Sequence, residues 1–108
     1  MSETTTVPVT LPPDAAARLA ELGMQREFDQ MVDKIRQTVP ELFRIEVEVA
    51  DRMDGTPTCL VLSALSSRSY NGLIEPDKEL RQWKVTTFPP EVCESLSMDV
   101  LYRESHAG

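Results

Sequence analysis

The stretch Phe28-Asp29-Gln30-Met31-Val32-Asp33-Lys34-Ile35-Arg36-Gln37-Thr38-Val39-Pro40, followed at once by Glu41-Leu42-Phe43-Arg44-Ile45-Glu46-Val47-Glu48-Val49-Ala50, changes its hydrophobic period in mid-course. Phe28, Met31, Val32, Ile35 and Val39 recur at the i, i+3, i+4, i+7 and i+11 spacing of one helical face. Asp29, Gln30, Asp33, Lys34 and Gln37 fill the other side, with Arg36 at the boundary, and Pro40 ends the helix. Beyond Leu42 the period is 2: Ile45, Val47 and Val49 point one way and Arg44, Glu46, Glu48 and Ala50 the other. A one-faced helix feeding a one-faced strand predicts a sheet covered by helices, an α+β arrangement.

The same reading extends outward in both directions. Upstream, Val7, Val9 and Leu11 alternate with Pro8, Thr10 and Pro12 as a short edge strand or extended arm, since Pro8 has no N–H to give a ladder. Pro13 and Asp14 then start a helix with the stripe Ala15, Ala16, Leu19 and Leu22, and Gly23 stops it. Downstream, the Asp54-Gly55 turn signal within 51–57 leads to Thr58–Leu65, apolar on both faces and so a central strand, predicted to form an antiparallel hairpin with 42–50. Ser66 to Glu79 reads as the longest connection in the chain. In Leu80–Phe88, Trp83, Val85 and Thr87 alternate with Gln82, Lys84 and Thr86; a helix is an open reading, but the β-branched residues favour a strand. Pro89-Pro90-Glu91 opens a short helical turn through Val92, Cys93 and Leu96. A last strand follows, with Met98, Val100 and Tyr102 facing away from Asp99, Leu101 and Arg103. The expected fold is two N-terminal helices packed on an antiparallel sheet of about four strands, one domain over 1–108, with 1–6 a frayed arm and 104–108 a tail.

Composition bounds the chemistry. The chain of 108 residues is 41% hydrophobic and 27% charged, which suits a single packed domain rather than a disordered one. The net charge of −7 is spread as −2, −3 and −2 over 1–40, 41–75 and 76–108, so no basic segment exists to neutralise phosphates, and nucleic acid is not the expected partner. Cys59 and Cys93 belong to no ligand motif and read as small buried hydrophobes. With no leader-like start and no apolar run of membrane-spanning length, a reduced cytoplasmic protein without membrane insertion is expected.

Catalysis finds little to use. The only histidine, His106, lies two residues from the end, which leaves no imidazole for a metal site or a nucleophile pair; no metal and no cofactor are expected. Glu46 and Glu48 share a strand face with Cα atoms about 6.5–7 Å apart, a spacing a glycosidase can use, but the solvent side of an amphipathic strand explains them as well. Ser66-Ser67-Arg68-Ser69-Tyr70-Asn71-Gly72 offers hydroxyls, a guanidinium and a phenol without the glycine pattern of a phosphate loop. Arg68, Tyr70 and Trp83 are therefore candidate contacts for a small ligand between the sheet and the 66–79 loop. Trp83 and Tyr102 are also candidate interface anchors, although both rings suit a core.

Two resemblances add to this. Val7 to about Val39, with Val-Thr-Leu-Pro-Pro-Asp-Ala-Ala-Ala-Arg-Leu-Ala-Glu-Leu, resembles the strand-helix-helix start of ribbon-helix-helix antitoxins, whose outward strand residues read DNA and whose second helix is capped by a hydroxyl at a phosphate. Here those outward positions are Thr6, Pro8 and Thr10, and Gly23-Met24-Gln25 lacks the cap, so DNA reading is not carried over. The segments Ala-Glu-Leu-Gly-Met-Gln, Gln-Thr-Val-Pro-Glu-Leu, Arg-Ile-Glu-Val and Trp-Lys-Val-Thr-Thr-Phe-Pro-Pro-Glu-Val-Cys resemble a group of small uncharacterised bacterial proteins, which implies a bacterial cytoplasmic setting and no particular chemistry. The expected function is a non-enzymatic protein–protein interaction module, an antitoxin-like or regulatory partner, with a small-ligand-binding domain as the alternative and a homodimer through strand edges or the helical arm as a further arrangement.

Overall fold

A computed structural model of the chain describes residues 7–50 and 59–103; the expected 51–57 turn, the frayed arm at 1–6, His106 and the 104–108 tail lie outside them. The described residues form β1 (Val9–Thr10), α1 (Pro13–Leu22), α2 (Gln25–Thr38), β2 (Leu42–Ala50), β3 (Cys59–Ser66), a 3-10 turn (Tyr70–Leu73), α3 (Ile74–Thr87), α4 (Pro90–Ser95) and β4 (Leu96–Tyr102). The strands lie in the order β1-β2-β3-β4. β2 and β3 pair antiparallel as expected, with Ile45 opposite Ala64 and Val47 opposite Leu62. β1 joins β2 in parallel and β4 joins β3 in parallel, so the sheet is mixed.

Local signals place α1 and α2 where the sequence puts them. Pro13 sits in the first turn of α1, and the Asp14 carboxylate accepts the Ala15 amide at 2.8 Å. Gly23 ends α1 in the left-handed region at φ 67°, its amide donating to the carbonyls of Leu19 and Ala20. A Cβ there would touch nothing within 4 Å, so the cost of a side chain is purely conformational. Gly23→Ala is accordingly expected to lower stability by about 1 kcal/mol, read as a shift in the urea midpoint with an unchanged slope.

The helices cover one face of the sheet. Phe28, Met31, Val32 and Ile35 of α2 are buried against Ile45, Val47, Leu60, Leu62, Leu96 and Met98. Burying each such side chain contributes about 1.5–3 kcal/mol, against about 0.3–0.5 kcal/mol for an exposed helical ion pair such as Arg36–Asp33, so the apolar stripe holds α2 in place.

Two expectations are corrected. Leu80–Phe88 is not a strand: Leu80 to Thr87 belong to α3. Leu80 is its one buried residue, flanked in the core by Leu73 just before the helix and Phe88 just after it, each about two helical turns away, with Trp83 packed on that core and Val85 63% exposed. Glu75 and Asp77 lie in its first turn, and Asp77 forms an ion pair with Arg81 at 2.8 Å. The long 66–79 loop is likewise mostly the 3-10 turn and the start of α3. The physical reason is topological: parallel neighbours such as β3 and β4 need a crossover of a dozen or more residues, which a helix supplies. Hence the helices are not confined to the N-terminal half and the sheet is not purely antiparallel; its fourth strand is β1, which the short Pro8-limited segment provides.

Candidate functional site

Register divides the sheet side chains between two faces. Val9, Ile45, Val47, Leu60, Leu62, Ala64, Leu96 and Met98 lie under the helices. Thr10, Glu46, Ser63 and Asp99 form a row on the opposite face, flanked on one side by Glu48, Val61 and Ser97 and on the other by Arg44, Leu65 and Leu101. Among the described residues no helix covers this second face. It is nonetheless partly apolar. Leu65 is 1% exposed yet stands outside the main core, beside a bulge between Leu42 and Arg44 that leaves Phe43 as the extra residue.

Glu46 and Glu48 therefore share a face, as their spacing predicts. Glu46 is half-buried and accepts from Arg44 Nη1 at 3.3 Å, while Glu48 is exposed opposite Val61. The arrangement presents acid to solvent beside apolar surface. Among the described residues no group of three or more His, Cys, Asp or Glu side chains could hold a metal ion.

Arg68, Tyr70 and Trp83 are not brought together. Arg68 forms an ion pair with Glu41 at 3.2 Å and packs beside Gly72, where a Cβ would lie 2.7 Å from its Nε. Trp83, by contrast, faces α2: Lys34 Nζ stands 5.9 Å from its ring centroid, and Phe88 meets it edge-on at 5.3 Å. Tyr70 is 73% exposed and lines a cleft of about 150 Å³ with Leu73, Ile74, Asp77, Lys78 and Val100. Tyr102, 47% exposed, ends β4 opposite Ser66. Because α3 is a helix rather than a strand, Trp83 faces α2, apart from the 3-10 turn that carries Tyr70 and against which Arg68 packs.

Sequence reasoning missed three features of these surfaces. Asp99 joins the acidic row only because β4 runs parallel to β3. Arg81, near the same edge, is held firmly protonated, its pKa raised first by the hydrogen bond and then by the charge of Asp77, slight desolvation opposing them and Asp99 adding least. The cysteines are half-buried rather than buried, Cys59 on the helix-free face and Cys93 with its thiol 3.6 Å from the Lys84 carbonyl oxygen. Their alternation along the strand or helix was the available signal.

Comparison with protein-family models, with curated proteins and with solved structures gives no match.

Proposed function

We propose that this protein is a non-enzymatic interaction module that takes a basic segment of another protein on the helix-free face of its sheet, as an acidic antitoxin or regulator takes its effector. The observation that carries this reading is the composition of that face: Glu46, Glu48 and Asp99 stand in reach of solvent beside half-buried Val61 and exposed Leu101. Interfaces combine an apolar centre with polar surroundings, and complementary charge sets partner choice and association rate. A nucleic acid would meet the same carboxylates as like charge. The two free thiols suit a reducing cytoplasm.

Charge reversal tests this. The immobilised full chain is expected to capture a basic protein stoichiometrically from a lysate of its native host, with capture weakening as salt rises. Glu46→Lys/Glu48→Lys is expected to abolish capture, whereas Glu94→Lys, on α4 and away from this face, retains it. Failure to capture a stoichiometric protein, or equal capture by both variants, would overturn the reading.

A further inference from the structure

The outer edge of β4 carries a second surface, which shares Asp99 and Leu101 with the helix-free face but neither Glu46 nor Glu48. The Arg103 amide donates to the Ser66 carbonyl at 2.8 Å, and Ser66 stands opposite Tyr102. In an extended strand the amide and carbonyl of one residue point to the same side and alternate from residue to residue. Asp99 and Leu101, in phase with Arg103, thus turn their backbone groups toward β3, and Leu96, Met98, Val100 and Tyr102 turn theirs outward. Lys84 Nζ, 3.4 Å from the Leu96 carbonyl oxygen, occupies the first of these outward positions. Beyond it, no strand lies beside Met98, Val100 and Tyr102 among the described residues.

The two edges of the sheet are treated differently. β1 is two residues long and follows Pro8, both of which discourage further pairing. β4 is seven residues long, Leu-Ser-Met-Asp-Val-Leu-Tyr, with neither proline nor lysine. Apolar surface is also concentrated there: of the six large hydrophobic residues left exposed among the described residues, four are at this end, Tyr70, Ile74, Leu101 and Tyr102, at 73%, 45%, 42% and 47%, with Leu11 and Val85 elsewhere.

We propose that the occupant of this edge is a second copy of the chain, paired antiparallel to β4 about a two-fold axis at Leu101, so that the two sheets join into one. The sequence is self-complementary in this register. Leu101 meets Leu101 of the second copy, and Val100 meets Tyr102 of the second copy, both with backbone groups turned outward and free to exchange hydrogen bonds. Asp99 meets Arg103 of the second copy on the helix-free face, and the pair occurs twice. A two-fold axis at Val100 satisfies the backbone equally but sets Asp99 against Leu101 and Arg103 against Ser97, leaving the charges unpaired, so charge selects the Leu101 register. The Leu101 register also places Tyr102 of the second copy beside Val100, which lines the cleft of about 150 Å³ with Tyr70 and Ile74. The rim of that cleft carries Asp77 and Lys78, partners for a phenol hydroxyl, and an aromatic ring seated in such a pocket is the usual anchor of an interface.

Light scattering and sedimentation of the full chain, from micromolar to near-millimolar concentration, test the proposal. The expected mass is twice the 12.1 kDa of one chain at the upper end. Asp99→Arg and Arg103→Asp alone each set like charges opposite twice across the axis and are expected to weaken dimerisation about tenfold or more. The double reversal D99R/R103D restores the opposite-charge pairs and is expected to return dimerisation to near the original strength. Both positions are exposed, and far-UV circular dichroism checks that each variant folds. A monomer throughout the range, a dimer indifferent to either single reversal, or a double reversal that fails to restore it overturns the proposal. Glu46 and Glu48 take no part in the pairing, so loss of partner capture and loss of dimerisation are separate results.

Discussion

Leu62→Ala is expected to destabilise the protein by about 3–4 kcal/mol, the range of a fully enclosed leucine whose cavity cannot collapse. Leu62 is 0% exposed in the middle of β3, between Val47 on β2 and Met98 on β4, and both of these neighbours are themselves buried under the helices. The total stability of a domain this size is about 5–15 kcal/mol, so the loss removes a large share of it and lowers Tm on the order of 10–20 °C. Val61→Ala, one residue away, provides the contrast. Val61 is half-buried and faces the helix-free side, and its truncation is expected to cost less than about 1.5 kcal/mol. Urea unfolding of the two variants measures the difference directly. Equal losses would mean that β3 is paired one residue out of register, because a slip of one exchanges the faces.

That contrast was not available from the sequence, where Thr58–Leu65 is apolar on both sides and gives no indication of which side the helices cover. The elements that could be read in advance are those whose period is unambiguous: the Phe28–Val39 stripe, the alternation of β2, and the proline and glycine punctuation of α1. α3 failed for an identifiable reason. It buries Leu80 alone, with the next core residues, Leu73 and Phe88, just beyond its two ends, and after Leu80 the residues Trp83, Val85 and Thr87 imitate a strand. Only the parallel pairing of β3 with β4, a long-range fact, demands a helix there.

The candidate surfaces depended on the same element. With 80–88 taken as a strand, Arg68, Tyr70 and Trp83 converge on one loop; with α3 in place Trp83 goes to Lys34, apart from Arg68 at Glu41 and Tyr70 at the β4 edge. Glu46 and Glu48 needed no tertiary knowledge, since alternation alone sets them on one side. Tyr102 was recognisable as an aromatic residue near the end of the chain, but what gives it a role is the neighbouring free edge, and strand order was needed to see that. The absence of proline and lysine from Leu96–Tyr102 was visible throughout; it gained meaning once β4 proved to be an edge.

Ser66→Ala is expected to cost about 2–3 kcal/mol, a large effect for the loss of one oxygen. Ser66 is the only buried polar residue described, at 0% exposure. Its hydroxyl donates to the Pro40 carbonyl at 2.6 Å and accepts the Arg68 amide at 3.0 Å, tying the turn before β2 to the chain leaving β3. Alanine fills nearly the same space, so no cavity argument applies. The cost comes from a donor and an acceptor stranded in a part-buried site, each worth about 1–3 kcal/mol when left unmade. The clasp also fixes where the 3-10 turn departs, and with it Tyr70 and the cleft beside Val100. Stability by urea unfolding should therefore fall together with dimerisation, while amide exchange at Arg68 speeds up. A loss below about 0.5 kcal/mol would show that water replaces the hydroxyl and that the clasp does not position the edge.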